Sequence, residues 1–122
     1  MAKAKNTTKP STNTKSVVYS LVCEWRDRHG DEGVDSPRIF TTLSAAKEAM
    51  ATDVTKYIDN FDGFANNEVD WDAIYSINDD YDTSMTRTDV ANAAKNASEF
   101  NVNVDDDGTW AHWTISQVST ED

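Results

Sequence analysis

Alternating apolar residues mark the first predicted element of the chain. Over residues 17–25 every second position is apolar, which predicts a β-strand with one buried face. The positions of that face are Val17, Tyr19, Leu21, Cys23 and Trp25. Polar turn residues follow at 26–33, and a second strand is predicted over 34–41, where Pro37 confines part of it to a sheet edge. Together these segments predict a β-hairpin with a wide polar loop.

The strongest helical pattern covers residues 43–61. Apolar side chains recur there every three or four residues and form one stripe, and Thr41 and Thr42 offer an N-cap. The stripe consists of Leu43, Ala46, Met50, Val54, Tyr57, Ile58 and Phe61. A second helix is predicted to begin after Thr86 or Thr88. Its narrow face of small residues consists of Val90, Ala93, Ala94 and Ala97.

Residues 69–77, after a predicted loop at 62–67, fit two patterns. A strand would turn Val69, Trp71, Ala73, Tyr75 and Ile77 inward. A helix would begin at Asp70 as N-cap and bury a stripe of Trp71, Ile74 and Tyr75. The strand fits slightly better, with Ile74 as its one misfit.

A second hairpin is predicted at the end of the chain. Its strands are residues 100–104 and 109–118, and the turn between them contains Asp105–Gly108. The order of elements predicts an α+β fold, with a single antiparallel sheet built from an N-terminal and a C-terminal β-hairpin and two helices packed on it. We expect residues 1–16 to be a flexible basic arm and residues 17–122 to be a single acidic domain.

Charge is distributed unevenly along the chain. The formal net charge is −11, and the first sixteen residues contribute +4 through four lysines, so the remaining 106 residues carry −15. Residues 57–86 and 96–122 contain no Lys or Arg at all. A charge this far from zero destabilises a compact domain through self-repulsion, so we expect it to serve binding. The alternative is that these runs only solvate the surface.

The acidity and the apolar pattern exclude several partners. Affinity for nucleic acid comes largely from Lys and Arg that neutralise phosphates, so direct binding to DNA or RNA is not expected. No apolar run approaches the ~18 residues of a membrane span, and the N-terminus lacks the apolar core of a signal peptide. Cys23 is the only cysteine, so an intramolecular disulfide is impossible. We expect a cytoplasmic protein.

Catalytic and metal motifs are weak. Residues 103–108 resemble the start of an EF-hand calcium loop, but Thr114 stands where the bidentate Glu belongs, so a hairpin turn fits better. Cys23, His29 and His112 are weak metal candidates, because no pair has the short spacing of preformed zinc sites. We expect no cofactor and no enzymatic activity.

The candidate surface is therefore acidic and aromatic. If Trp113 faces the core, Trp110 faces outward and becomes a candidate hot spot; the alternative is that it packs over a neighbouring strand or under the basic arm. Carboxylates two apart on a strand lie ~6.6 Å apart, whereas duplex DNA has one charge per ~1.7 Å, so only several acidic elements on one face imitate a phosphate ladder. The predicted partner-binding residues are Asp59, Asp62, Glu68, Asp70, Asp72, Asp79, Asp80, Asp82, Asp105, Asp106, Asp107 and Trp110.

The chain also resembles a class of known proteins. A short hairpin, the run IFTTLSAAKEAM that opens a helix, an acidic stretch and a terminal HWTIS strand are similar to small acidic proteins of phages and mobile elements, such as anti-CRISPR proteins. The resemblance implies an inhibitor that occupies the basic nucleic-acid-binding groove of a host-defence nuclease, in a bacterial host cytoplasm. The alternative is a small accessory interaction domain that is acidic only for solubility.

Overall fold

The computed structural model describes residues 16–105 and 108–120. The strands within them are β1 (Ser16–Arg26), β2 (Glu32–Val34), β3 (Arg38–Phe40), β4 (Phe64–Ala65), β5 (Glu68–Val69), β6 (Ser76–Ile77), β7 (Glu99–Asn103) and β8 (Trp110–Thr120). The helices are α1 (Leu43–Asn60), between β3 and β4, and α2 (Arg87–Lys95), between β6 and β7. The predicted arm lies outside the described residues, except that Ser16 already belongs to β1.

Two long antiparallel strands form the centre of the main sheet. β1 pairs with β8 along its whole length, from Ser16 opposite Thr120 to Arg26 opposite Trp110. The strand order is β2-β1-β8-β7-β6, and β3 pairs with β1 on the same side as β2. The N-terminal and C-terminal hairpins predicted from the sequence are thus joined through β1 and β8, which confirms the α+β fold with an antiparallel sheet.

The helix α1 packs on one face of this sheet, and α2 packs against α1. The stripe predicted for α1 is confirmed, with Ala46, Met50, Val54 and Ile58 fully buried. The sheet contributes Leu21, Phe100, Val102, Trp113 and Ile115 to the same core. Thr42 caps α1 by accepting a hydrogen bond from the backbone N–H of Ala45. In α2, Thr86 and Asp89 form a capping box, and Val90 and Ala94 face α1 as buried residues.

The strand predicted over residues 34–41 is interrupted. β2 and β3 are separate three-residue strands, and the segment around Pro37 between them leaves the sheet. Proline has no N–H to donate to β1, which explains the break. Both short strands lie at the sheet edge, as the position of Pro37 indicated.

The strand predicted over residues 69–77 is wrong, and so is the helix. Only Val69 and the pair Ser76–Ile77 belong to strands, and a turn joins them. Ile74 and Ile77 are both buried, a spacing that a regular strand cannot place on one face. Tyr75, predicted to face inward, is exposed instead. The chain bends separately to bring each of these isoleucines into the core. Their burial therefore favours this irregular conformation over a regular strand or helix.

No helix of the described residues is both long enough and apolar enough to cross a bilayer.

Candidate partner-binding surface

The connection between the helices carries most of the predicted site. We call residues 61–86, which join α1 to α2, the acidic connection. It contains seven carboxylates and neither Lys nor Arg: Asp62, Glu68, Asp70, Asp72, Asp79, Asp80 and Asp82.

Two tight turns give the acidic connection its shape. Strands β4 and β5 are joined by Asn66 and Asn67, whose φ angles are 53° and 65°. A second bend, closed by mutual backbone hydrogen bonds between Ile77 and Asp80, has φ angles of 49° at Asn78 and 72° at Asp79. Positive φ at both central residues defines the type I′ turn, for which Asn and Asp are suited after Gly. The loop predicted at 62–67 includes the first turn, whereas no turn was predicted at 78–79; the Asn-Asn and Asn-Asp pairs are the sequence signals for the two turns.

Backbone hydrogen bonds tie the acidic connection to the rest of the domain. The N–H of Asp70 donates to the carbonyl of Gly63 at 2.8 Å, and the N–H of Tyr75 donates to the carbonyl of Asn103 in β7 at 2.9 Å. The indole N–H of Trp71 donates to the carbonyl of Thr83 at 2.8 Å. The carboxylates therefore stand on a backbone that is held at several points, which reduces the ordering entropy a partner must supply on binding.

Most carboxylates of the acidic connection point to solvent. Asp62, Glu68, Asp72, Asp79, Asp80 and Asp82 are exposed. Asp70 is half-buried and has a structural role, because its carboxylate accepts the N–H of Asp72 at 3.0 Å and its carbonyl accepts the N–H groups of Ala73 and Ile74. The six exposed carboxylates therefore produce the negative electrostatic potential of this surface.

Asp59, at the end of α1, is paired. Both of its carboxylate oxygens accept hydrogen bonds from the guanidinium of Arg87, at 2.6 and 2.9 Å. These hydrogen bonds lower the pKa of Asp59 below its ordinary value. The same guanidinium lies 4.4 Å from the ring centroid of Phe64. Asp59 was predicted to bind a partner, but its charge is already balanced within the fold.

The predicted acidic turn before β8 is only partly described. Asp105 accepts the backbone N–H of Thr109 at 3.1 Å and so helps to close the turn, while Asp106 and Asp107 lie outside the described residues. Thr114 lies within β8 between Val22 and Glu99. A residue paired on both sides in a sheet cannot close an EF-hand loop, so the turn interpretation holds.

Trp110 lies on the sheet face opposite to the helices. Trp113 is buried in the core, which confirms the predicted alternation along β8. Trp110 is half-buried and pairs with Arg26 on one side and Asn103 on the other. Together with Val34 it lines a shallow hollow of about 250 Å³. Trp110 therefore lies on the face of the sheet away from the core. In the sequence it is outside the acidic connection.

The three weak metal candidates do not converge. Cys23 faces the helices, whereas His112 is on the opposite face of β8 and lies 3.1 Å from a carboxylate oxygen of Glu99. His29 is in the exposed loop after β1. Burial raises the pKa of the Cys23 thiol to about 12, so the thiol is protonated near neutral pH. The thiolate is the form that ligates metals and acts as a nucleophile, so Cys23 is not activated for either role. Within residues 16–105 and 108–120 no three potential ligands cluster.

Two tyrosines outside the predicted partner-binding residues are largely exposed. Tyr75 is 58% exposed and Tyr81 is 69% exposed, and both belong to the acidic connection. Tyr81 stands between Asp80 and Asp82, so its neighbours in the chain were the available signal. Exposed tyrosines amid carboxylates suit contacts to a basic protein surface, because Arg and Lys bind both groups.

Comparisons with known proteins returned no relative. No family model, no curated protein and no solved structure matches the chain.

Proposed function

We propose that this protein is a non-enzymatic inhibitor that binds a basic nucleic-acid-binding groove of a nuclease and blocks the loading of DNA. A CRISPR effector in a bacterial cytoplasm is the proposed target class. The observation that carries the proposal is the acidic connection, which holds six exposed carboxylates on a hydrogen-bonded backbone without any Lys or Arg.

The arrangement of these carboxylates suits a groove that binds a phosphate backbone. They come from the segment after α1, from β5, from the turn after Val69 and from the Ile77–Asp80 bend with the residues that follow it, so they are not confined to one strand. A row of acids on one strand has a spacing of ~6.6 Å, too wide to imitate a duplex, and several elements together approach its charge density. Charge complementarity with Lys and Arg speeds encounter and fixes orientation.

Tyr75 and Tyr81 add contacts that charge alone does not supply. Tyrosine is enriched among the residues that dominate binding energy at interfaces. Its ring also accepts a guanidinium or ammonium group over its face. We therefore expect the two rings to stack on basic side chains of the groove while neighbouring carboxylates neutralise them.

A second function is favoured by one observation. On the face of the sheet opposite the helices, Val34 and Ile39 are exposed, and Trp110 lines a hollow beside Val34. This favours a small accessory interaction domain of a phage or mobile element, in which acidity serves only solubility. That function predicts that changes around Trp110 abolish binding and that changes in the acidic connection do not.

The test is inhibition of DNA loading by matched charge variants. A panel of purified guide-loaded CRISPR effector nucleases is incubated with labelled target duplex and the protein, in low and moderate salt. D79N/D80N removes two exposed charges of the acidic connection and keeps side chains that tolerate positive φ. D31N/E48Q removes two exposed charges elsewhere and is the control.

The two functions give opposite results. For the inhibitor, D79N/D80N weakens inhibition about tenfold in low salt and D31N/E48Q leaves it within about twofold, because steering depends on charges near the contact. Equal effects of both variants, or no inhibition of any effector in the panel, would falsify the inhibitor proposal. Loss of binding to a captured partner on Trp110→Ala alone would support the accessory domain.

A further inference from the structure

A small pocket lies where the end of α1 meets the loop after β1. It is lined by residues of β1 and of that loop, by Tyr57 and Phe61 at the end of α1 and by Thr109 just before β8. Its volume is about 280 Å³, close to the lower limit of roughly 300 Å³ for ligand sites in proteins, so it suits a small ligand. We call it the loop pocket. None of its residues is among the predicted partner-binding residues.

Three aromatic residues line the loop pocket. The ring centroids of Tyr57 and Phe61 lie 5.1 Å apart, and the ring planes are tilted by 60°. The indole N–H of Trp25 donates to a carboxylate oxygen of Asp35 at 3.2 Å, and a Cβ added at Gly33 would clash with the indole, so the ring is held from two sides. Fixed aromatic surfaces favour a ligand that has an aromatic ring itself, because two rings stack in offset or edge-to-face arrangements.

Two hydroxyl groups of the loop pocket have no hydrogen-bond partner within the described residues, 16–105 and 108–120. Thr109 is only 3% exposed, and its backbone N–H and carbonyl are both hydrogen-bonded, but the structure gives its side-chain hydroxyl no partner. The hydroxyl of Tyr57 is likewise without one. Burial raises the pKa of Tyr57, so this group stays protonated and can donate. Because buried polar groups are almost always hydrogen-bonded, the Thr109 hydroxyl indicates a polar atom of a ligand in the pocket.

The loop after β1 brings hydrogen-bond donors to the mouth of the loop pocket. Arg28 and His29 line the pocket and are exposed. Asp27, the acid in the lining, uses one carboxylate oxygen to accept the backbone N–H groups of His29 and Asp31, at 2.9 and 3.0 Å. These bonds close the loop on itself, so Arg28 and His29 lie on an ordered turn.

The charge at the mouth favours an anionic group. Arg26 also lines the pocket, but its guanidinium lies 3.6 Å from a carboxylate oxygen of Glu32. For Arg28 the structure gives no carboxylate within ion-pair distance in the described part of the chain. A guanidinium binds a carboxylate through two parallel hydrogen bonds, and an imidazole also donates an N–H. One available guanidinium thus suits one carboxylate.

We propose that the loop pocket binds a small aromatic carboxylate. The ring of this ligand stacks on the three aromatic side chains, a polar atom of the ring hydrogen-bonds to the hydroxyl of Thr109, and the carboxylate accepts hydrogen bonds from Arg28 and His29. This inference does not depend on the inhibitor function, since it uses none of the carboxylates of the acidic connection and its test measures a different property.

The test is an NMR titration of the isotope-labelled full chain with indole-3-acetate at pH 7. This probe has a fused aromatic ring, a ring N–H and a single carboxylate. We expect a dissociation constant of about 1 mM or below, as its small number of non-hydrogen atoms allows. The largest chemical-shift changes should be at the indole N–H of Trp25 and at the amides of Arg28, Phe61 and Thr109. Indole-3-acetamide, which is neutral and nearly identical in shape, should bind at least about fivefold more weakly.

Two charge variants identify the groups that bind the carboxylate. R28Q/H29Q should weaken binding of indole-3-acetate at least about fivefold and leave that of indole-3-acetamide within about twofold, because it removes the donors at the mouth. K47Q/K95Q is the matched control. It removes two positive charges that line a separate hollow beside the start of α1, and it should leave the affinity for both probes within about twofold.

T109V tests the hydroxyl inside the loop pocket. Valine keeps the β-branched shape and removes a hydroxyl that has no partner in the fold, so urea unfolding should show no loss of stability. Binding of both probes should nevertheless weaken about threefold or more. The proposal is overturned if no saturable shift change occurs up to about 10 mM probe, if the two probes bind equally, if the two charge variants have equal effects, or if T109V binds both probes as the wild type does.

Discussion

Arg87, the first residue of α2, binds Asp59 near the end of α1 through both carboxylate oxygens, at 2.6 and 2.9 Å. The two residues are 28 positions apart in the chain, and the whole acidic connection lies between them. Because Arg87 also lies over the ring of Phe64, it holds the two ends of the connection and β4 together. The guanidinium of Arg87 is thus used inside the fold.

We expect Arg87→Ala to lower the free energy of unfolding by about 1 kcal/mol at pH 7, since the pair is exposed but bidentate. The pKa of Asp59 is lowered in the folded state, so the pair stabilises the fold above the unfolded pKa of about 4 and this stabilisation is lost as the pH falls through the folded pKa. Urea unfolding at pH 7 and pH 3 measures both. A double-mutant cycle with Asp59→Asn is the control, and a pair energy that does not change between the two pH values contradicts the prediction.

Asp62 ends α1 in an unfavourable way. Its φ angle is 53°, and the N–H of Gly63 donates to the carbonyl of Ile58 while that of Asp62 donates to the carbonyl of Asp59. These are the two hydrogen bonds of a Schellman motif, whose left-handed position prefers Gly. Asp62→Gly should raise the free energy of unfolding by about 1 kcal/mol, because it removes the steric cost and an anion at a helix C-terminus.

The comparison with Asp62→Ala separates the two causes. Alanine removes the charge but keeps a Cβ in the left-handed conformation, so we expect it to be less stable than the Gly variant by about 1 kcal/mol. Urea denaturation of the three proteins provides the measurement. Equal stabilities of the Gly and Ala variants would show that the backbone conformation costs nothing here.

Cys23 should behave as an inert core residue. Its pKa is raised to about 12, first by burial and then by the nearby carboxylates of Asp35 and Asp53, so the thiol is protonated at pH 8. Reaction with a chromogenic disulfide reagent should be at least about 100-fold slower in the native protein than in urea. Because folding raises this pKa, the protein should lose stability as the pH rises above about 9, and Cys23→Ala should reduce that loss. Rapid native labelling would contradict this account.

The contribution of Tyr75 and Tyr81 to partner affinity should be nearly the same in low and moderate salt. We expect Y75A/Y81A to weaken inhibition about tenfold in both low and moderate salt, because contacts of a ring with a basic side chain survive screening better than steering does. D79N/D80N should act mainly in low salt. Titrations at two salt concentrations measure the difference, and identical salt dependence of the two variants would argue against separate roles.

Local patterns were sufficient for the regular elements. The spacing of Met50, Val54 and Ile58 predicts α1, and Thr42 marks its start, because a helix forms its hydrogen bonds and its apolar face within a few residues. The alternation in β1 and β8 predicts their buried faces for the same reason. The α+β fold follows from the order of these elements, and the structure confirms it.

The acidic connection could be recognised by composition but not by conformation. Its acids are visible in the sequence as a base-free run, whereas the roles of Asp59 and Asp70 depend on Arg87 and on a turn. Strands of two residues carry too little pattern to be detected, and the partner of β6 lies in β7, distant in the chain. The inward orientation predicted for Tyr75 was wrong for that reason.

The sequence by itself determined the helices, the long strands, the acidity of the middle segment and the side of β8 on which Trp110 lies. These properties depend on residues that are close together in the chain. Their spacing determines which side chains share one face of an element, and their charges sum to the net charge of a segment. Only the tertiary structure decided which carboxylates are exposed, where Arg87 is used and which face of the sheet packs against α1. Each of those depends on contacts between residues distant in the chain, and no local pattern records them.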